Sequence, residues 1–230
     1  MRKCRGRLLR GSLADNPMLP FTNEYDALIH HNNVDEALRI ATGKLPGRPE
    51  IAVTLRDIGL LQFLNHQKDP EPYDSPDYFL GAAVFLQPDD ADLRFWHGYV
   101  HEIRIASNDY SISQYQCGLE ISPNHPYCLL ALASNTNTDK TRQAKLLDQL
   151  LAVQPNHIRA LMQKAELAAS EGEIAAATRI FSRVIDADPY EETNFGFMNK
   201  YVNHVLTAHA RATSEKAEAA DRLRQLTGRS

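Results

Sequence analysis

Prolines recur along this chain at nearly constant intervals, and this rhythm limits the possible folds more than any other feature. Pro88, Pro123, Pro155 and Pro189 each follow an apolar run and lie 35, 32 and 34 residues apart, and Pro49 precedes Pro88 by 39 residues. Proline lacks an amide donor and clashes with the preceding helical turn, so it ends a helix. Prolines at this period predict short helices arranged as helix-turn-helix repeats.

A small residue recurs at a fixed distance after the prolines. It lies ten positions after each of four of them, as Gly59, Gly98, Ala133 and Ala165. A side chain this small allows the first helix of a repeat to pack closely against the second helix of the same repeat. The sequence therefore predicts close pairs of helices.

Residues 158–189 form the most regular repeat. Its characteristic positions are Ala165, Gly172, Ala177, Phe181 and Pro189. Gly172 lies between two apolar-periodic runs, as expected of a helix-ending residue with positive φ. These offsets resemble the consensus of the tetratricopeptide repeat (TPR) family, and the resemblance covers about residues 22–189.

The resemblance implies an all-α fold, a right-handed superhelical solenoid of about five helix-turn-helix (TPR-like) repeats with C-terminal capping helices. We expect a basic, disordered tail at residues 1–20, the repeat array at residues 21–190, and the capping helices at residues 191–230. Within the cap, we expect one helix to end near Arg211 and a second helix to begin at Ser214, because serine favours a helix N-terminus.

No constellation typical of catalysis or metal binding is found in the sequence. His97 and His101 share a helix face, but no acidic residue lies between them as zinc proteases require, and no third ligand follows within reach. Glycine-rich phosphate loops and the nucleophile elbow are also absent. His125 and His157 follow equivalent prolines, and this repetition favours a role in helix capping. We therefore expect a protein that is not an enzyme and uses no metal or other cofactor.

In the TPR family, the first helices of the repeats line a concave groove that binds a peptide or a partner's surface. Counted from the third residue after each proline, the groove side chains occupy places 2, 5, 9 and 12 of a repeat. The resemblance implies a partner-binding groove formed by Arg56, Phe95, Tyr99, Tyr127, Ser134, Arg159, Met162 and Glu166. The alternative is that half of these side chains pack between repeats.

The character of these positions indicates what the groove binds. Phe95, Tyr99 and Tyr127 are aromatic, the type enriched among binding anchors, whereas Trp96 is predicted to lie in the core. The family's carboxylate clamp combines Lys and Arg with Asn residues. Here Arg56 and Arg159 are scattered cations without matching asparagines, so the sequence does not indicate recognition of a C-terminal carboxylate.

Charge and hydropathy narrow the class of partner. The net charge of −4 argues against a nucleic-acid-binding protein, and no apolar stretch is long enough for membrane insertion. The basic start of the chain is not followed by the apolar core of a secretory signal, so we expect a cytoplasmic location.

Together these features predict a non-catalytic protein-interaction scaffold or adaptor that binds a protein or peptide partner in the groove. Two alternatives share the same physics: an immunity or inhibitor protein that masks a cognate toxin, and a secretion or assembly chaperone. The oligomeric state is left open.

Overall fold

The structure is a computed structural model of the 230-residue chain. It describes residues 33–44, 50–66, 75–105, 108–135, 139–189 and 204–228, together with Tyr25 and Leu28. The predicted tail at residues 1–20 and the start of the predicted cap lie outside the described residues. The helices that the structure describes are α1 (Val34–Lys44), α2 (Ile51–His66), α3 (Ser75–Leu86), α4 (Ala91–Ile105), α5 (Asn108–Ile121), α6 (Pro126–Ser134), α7 (Lys140–Val153), α8 (Ile158–Ser170), α9 (Ile174–Asp186) and α10 (His204–Thr227). No strand occurs among these residues, and the all-α prediction is confirmed.

Two compact units divide the chain. The N-terminal unit ends at Pro123, and the C-terminal unit begins at Asn124. In the N-terminal unit, α2 packs against α3 and α4 packs against α5. In the C-terminal unit, α6 packs against α7 and α8 packs against α9. Each unit is therefore built from helical hairpins, whose first helices are α2, α4, α6 and α8.

The helices end where the sequence predicts. Pro88 lies in the turn between α3 and α4, Pro123 between α5 and α6, and Pro155 between α7 and α8. Pro189 follows the end of α9. In the turn between α8 and α9, Gly172 has a φ of +78°, a conformation that side chains with a Cβ rarely adopt. The predicted turn at each of these positions is confirmed.

The small residues lie at close helix contacts. A Cβ added to Gly98 on α4 would lie 2.8 Å from Tyr115 Cε1 and 3.2 Å from the carbonyl oxygen of Ser111, both on α5. In the C-terminal unit, Ala133 and Ala165 are fully buried. A larger side chain at these positions would force the helices apart, and the predicted close pairs are confirmed.

Two histidines cap helices. The Nδ1 atom of His125 accepts a hydrogen bond from the backbone N–H of Cys128 at 3.2 Å. The Nδ1 atom of His157 accepts one from the N–H of Ala160 at 3.3 Å. Each bond satisfies an amide that the first turn of a helix leaves without a partner. Burial lowers the pKa of His157 to about 4, so its ring is neutral at pH 7 and can accept this bond.

The C-terminal helix differs from the prediction. A single helix, α10, runs through Ser214, so the predicted break between Arg211 and Ser214 is wrong. Neither Gly nor Pro lies at residues 211–214, and serine interrupts a helix only weakly. On one side of α10, Ala212, Glu215 and Ala219 are buried. This side packs against α8 and α9.

Candidate partner-binding surface

Four side chains of α4 lie on one helix face. They are Asp92, Phe95, Tyr99 and Glu102, spaced at the period of an α-helix. Phe95 and Tyr99 belong to the predicted groove, and the two carboxylates occupy the outer groove places of the same repeat. Phe95 is only 6% exposed, whereas Asp92, Tyr99 and Glu102 are half-buried. These four residues are called the α4 face below.

Aromatic neighbours fix the ring of Tyr99. It stacks on Phe95 with 5.7 Å between ring centroids and an interplanar angle of 30°. Phe63 of α2 meets it edge-on at 6.4 Å, and Trp96 does so at 6.0 Å. Phe63 and Trp96 are buried, as predicted for Trp96. Because its neighbours restrict its rotamers, Tyr99 loses little conformational entropy when a partner binds.

The two carboxylates of the α4 face are stabilised by different means. The hydroxyl of Tyr115 donates a 2.6 Å hydrogen bond to Glu102 Oε2, and Tyr115 is itself only 2% exposed. Asp92 lies in the first turn of α4, where the positive end of the helix dipole stabilises a negative charge. The α4 face therefore carries a tyrosine between two carboxylates, of which Glu102 is held by a hydrogen bond.

Arg56 of α2 is bound within the fold. Its Nε and one terminal nitrogen donate to Asp57 Oδ1 at 3.0 and 2.8 Å, and Asp57 is fully buried. Burial is the main cause that raises the pKa of Asp90, and the negative charge of Asp92 adds to it. The charge of Arg56 acts in the opposite direction on that pKa. Arg56 thus serves as a counter-ion for neighbouring carboxylates.

The C-terminal unit holds the remaining predicted groove residues. Tyr127 is half-buried, and Ser134 and Glu166 are exposed. Ser134 Oγ accepts a 2.7 Å hydrogen bond from Gln163 Nε2, which joins α6 to α8. Arg159 donates to Glu215 of α10 at 2.8 Å, and Met162 is buried in the core cluster that α8, α9 and α10 share. The side chain of Arg159 remains 57% exposed despite this bond, whereas that of Met162 is withdrawn into the core.

Both predicted groove cations, Arg56 and Arg159, are bonded to carboxylates of the chain itself. A free carboxylate ligand would have to compete with Asp57 and Glu215 for them.

Three residues of this surface were missed in the sequence. Phe63, Asp92 and Glu102 occupy groove places 12, 2 and 12 of their repeats. The repeat numbering that selected Phe95 and Tyr99 could have found all three. Their roles depend on contacts with other helices, which repeat numbering does not show.

The histidine pair of α4 lies in a polar cluster with α3 and α5. His97 Nδ1 and the Tyr110 hydroxyl are 3.1 Å apart, and His101 Nδ1 lies 3.3 Å from Asp77 Oδ1. Arg104 donates to the other oxygen of Asp77 at 2.7 Å. Burial lowers the pKa of His97 to about 4. The pair is packed, and among the residues that the structure describes no group of three His, Cys, Asp or Glu side chains could hold a metal ion.

Within the described ranges, no helix combines the length and the apolar character needed to cross a lipid bilayer.

Comparisons with known proteins identify the fold. No protein-family model matches the sequence, and no curated protein sequence matches it significantly. Among solved structures, the chain is similar to MamA, with a TM-score of 0.56 and 16% identity over 72% of this chain and 95% of MamA. It is also similar to YrrB, described as "a TPR protein with an unusual peptide-binding site", with a TM-score of 0.52 and 15% identity over 74% of this chain and 86% of YrrB.

The chain therefore has a TPR-like fold. Its hairpins are those of a helical-repeat protein, and solved TPR proteins share that architecture over about three quarters of its length. The resemblance predicted from the spaced prolines is confirmed at the level of the fold.

Proposed function

We propose that this protein is a non-catalytic scaffold or adaptor that binds a segment of a partner protein on the first helices of its hairpins. The observation that carries the proposal is the α4 face, where Tyr99 is held against Phe95 and remains partly exposed. A restrained, partly exposed aromatic ring is typical of an interface anchor. The peptide-binding site named for YrrB, a protein of the same fold, favours the same role.

In the C-terminal unit, we assign the corresponding contacts to Tyr127, Ser134 and Glu166, which are all at least partly exposed. Met162 supports this surface from the core, Arg159 borders it through its bond to Glu215, and Arg56 supports the α4 face as a counter-ion. Binding of this kind needs only complementary shape and charge.

The proposal is tested by capturing partners from an extract of the source cells. The bait is either the wild-type protein or the double variant Tyr99→Ala/Tyr127→Ala. Tyr78→Ala is the matched control, because Tyr78 lies on α3 and is 75% exposed. We expect the double variant to lose the partners that the wild type and the control retain.

The loss of partners is interpreted only for variants that remain folded. Trp96, the only tryptophan, is buried near Tyr99, so its fluorescence together with circular dichroism reports whether the fold persists. Partners retained by the folded double variant and lost by Tyr78→Ala would overturn the proposal. Several distinct partners would favour an adaptor, and one tightly bound toxin would favour an inhibitor.

A further inference from the structure

We propose that the exposed face of α3 binds a second copy of this chain, so that two α3 helices pack antiparallel around a two-fold axis. This face consists of Tyr78, Ala82, Phe85 and Leu86 and is called the α3 face below. The inference goes beyond the proposed function and does not depend on it, because the α3 face and the α4 face belong to different helices.

Exposed apolar surface is concentrated on α3. Tyr78 and Phe85 are 75% and 84% exposed, and Leu86 is about half exposed. Tyr78 meets the ring of its chain neighbour Phe79 edge-on at 6.0 Å. On the other described helices, exposed large apolar side chains occur singly. Single residues of this kind are common on protein surfaces, whereas a cluster of them marks an interaction surface.

The α3 face carries no charge. The charged residue of α3 is Asp77, and its carboxylate is directed to α4. There it accepts a 2.7 Å hydrogen bond from Arg104 and lies 3.3 Å from His101 Nδ1. When two identical faces meet around a two-fold axis, a charge on the face is brought close to its own copy and is repelled. An uncharged face avoids this repulsion and therefore suits a second copy.

The sizes of the side chains along the face are self-complementary. Ala82 is partly exposed and lies between Tyr78 and Phe85, which are roughly 10 Å apart along the helix. If a second α3 runs antiparallel with Ala82 opposite Ala82, Tyr78 of one copy lies against Phe85 and Leu86 of the other. The small residue at the crossing point lets the two helices approach closely, and the two-fold axis forms each contact twice.

The charges at the ends of α3 favour the antiparallel direction. Asp89 is exposed and follows the C-terminal end of the helix. An antiparallel second copy brings this carboxylate towards the N-terminal end of the other α3, where the helix dipole is positive. A parallel copy would place like ends of the two dipoles side by side. Charge complementarity at the helix ends thus supports an antiparallel second copy as the occupant.

The size of the face indicates a reversible dimer. The two aromatic side chains, most of whose surface is exposed, offer roughly 300 Å² in each copy. Burial of both pairs removes roughly 600 Å² from water, about half of the surface that a small specific interface buries. Leu86 and the adjoining polar surface would have to supply the rest. We therefore expect a weak dimer with a dissociation constant of roughly 10–100 μM.

Sedimentation velocity of the full chain at roughly 5–300 μM tests the proposal. We expect the wild type to change reversibly from monomer to dimer across this range. We expect Tyr78→Ser/Phe85→Ser to weaken the dimer about tenfold or more, because the apolar surface that the contact buries is removed. A wild type that stays monomeric at every concentration would overturn the inference, since the α3 face would then be open or covered by something other than a second copy.

The matched control is Val153→Ser/Ile174→Ser. It removes two exposed apolar side chains from α7 and α9, and like the first double variant it leaves the net charge unchanged. We expect the control to form dimers as the wild type does. An equal loss of the dimer in both double variants would show that the contact does not lie on α3. Circular dichroism verifies that each variant is folded.

Cysteine cross-linking tests the antiparallel arrangement. Residue 82 lies at the two-fold axis, so Ala82→Cys should form a disulfide-linked dimer under mild oxidation. Two copies of residue 86 lie roughly 12 Å apart along the helices, so Leu86→Cys should not. The wild type gives the background from its own three cysteines. Cross-linking of Leu86→Cys as efficiently as Ala82→Cys would contradict the antiparallel pair.

The remaining variants separate this inference from the proposed function. Tyr99→Ala/Tyr127→Ala should form dimers as the wild type does, and Tyr78→Ser/Phe85→Ser should retain the captured partners. Loss of the dimer in folded Tyr99→Ala/Tyr127→Ala would assign self-association to the proposed groove and would refute the inference. Unchanged partner capture by Tyr99→Ala/Tyr127→Ala, with the dimer on α3 intact, would count against the proposed function alone.

Discussion

The N-terminal and C-terminal units use different small residues where the two helices of a hairpin pack together. At the equivalent position of the repeat, the N-terminal unit has Gly98 and the C-terminal unit has Ala165, and both are buried. Gly98 lies against the ring of Tyr115, whereas Ala165 shares a core cluster with Ala177 and Phe181. Residue 98, where an aromatic ring lies directly against the helix, is therefore a glycine, whereas an alanine fits at residue 165.

The difference between Gly98 and Ala165 affects the candidate binding surface. In the N-terminal unit, Phe95 is 5.9 Å from Tyr115, and Tyr115 in turn holds the carboxylate of Glu102. The aromatic packing that requires a glycine at position 98 therefore also orients the α4 face. In the C-terminal unit, whose described core cluster is mainly aliphatic, hydrogen bonds connect two of the predicted groove residues, Ser134 and Arg159, to neighbouring helices.

The largest effect is expected from Phe181→Ala. Phe181 is 1% exposed and is the aromatic side chain among the described buried residues of its cluster. Its removal leaves a cavity bordered by short side chains, so we expect the free energy of unfolding to fall by about 3–5 kcal/mol. Urea titration followed by circular dichroism measures it. A loss below about 1 kcal/mol would mean that the cluster rearranges to fill the cavity. It would contradict the role given to Phe181 in the comparison of the two units.

Acid should destabilise the protein through its buried histidines. Burial lowers the pKa of His157 to about 4 from its ordinary 6.5. The unfolded chain therefore gains a proton below pH 6.5 while the folded chain does not, and stability falls as the pH drops from 6.5 to 4. At pH 5 we expect this one histidine to cost about 2 kcal/mol relative to pH 7.

His157→Asn is the matched control for the acid effect, because asparagine also caps a helix but does not titrate. Unfolding free energies of both proteins at pH 7 and pH 5 give the comparison. The variant should lose less stability on acidification than the wild type. Identical losses would show that His157 does not set the acid sensitivity.

The smallest effect concerns the glycine itself. Gly98→Ala places a Cβ 2.8 Å from Tyr115 Cε1, and we expect overpacking to cost about 1–2 kcal/mol despite the better helix propensity of alanine. At Gly43 on α1, an added Cβ meets nothing within 4 Å, so Gly43→Ala should be neutral or stabilising by up to about 1 kcal/mol. Urea titration followed by Trp96 fluorescence compares them, and a stabilised Gly98→Ala would contradict the assigned contact.

Features that depend on one residue's local geometry could be predicted from the sequence. Pro88 and Pro155 lie in turns between helices, because proline disrupts a helix wherever its amide donor is needed. Gly172 adopts the positive φ that its turn requires, and His157 caps the helix that follows it. The continuity of α10 could not be predicted, because a serine at a helix N-terminus and Ser214 within a helix have the same local signature.

The ion-pair partners of the groove arginines could not be predicted from the sequence either. Arg56 and Arg159 occupy groove places, but whether a guanidinium points to a ligand or to its own chain depends on the packed rotamer. Arg159 bonds to Glu215, which is 56 residues away in sequence. Repeat numbering locates a residue on a helix face, whereas the helix packed against that face decides whether the side chain is available.

The most direct test of the partner-binding surface is hydroxyl-radical footprinting of the protein with and without its captured partner. The N-terminal unit provides internal controls for Tyr99, which lies on α4. They are Tyr78 and Phe85, which lie on α3 and are 75% and 84% exposed. Our account predicts that the partner slows oxidation of Tyr99 and leaves Tyr78 and Phe85 unchanged. Protection of Tyr78 and Phe85 with no change at Tyr99 would contradict it.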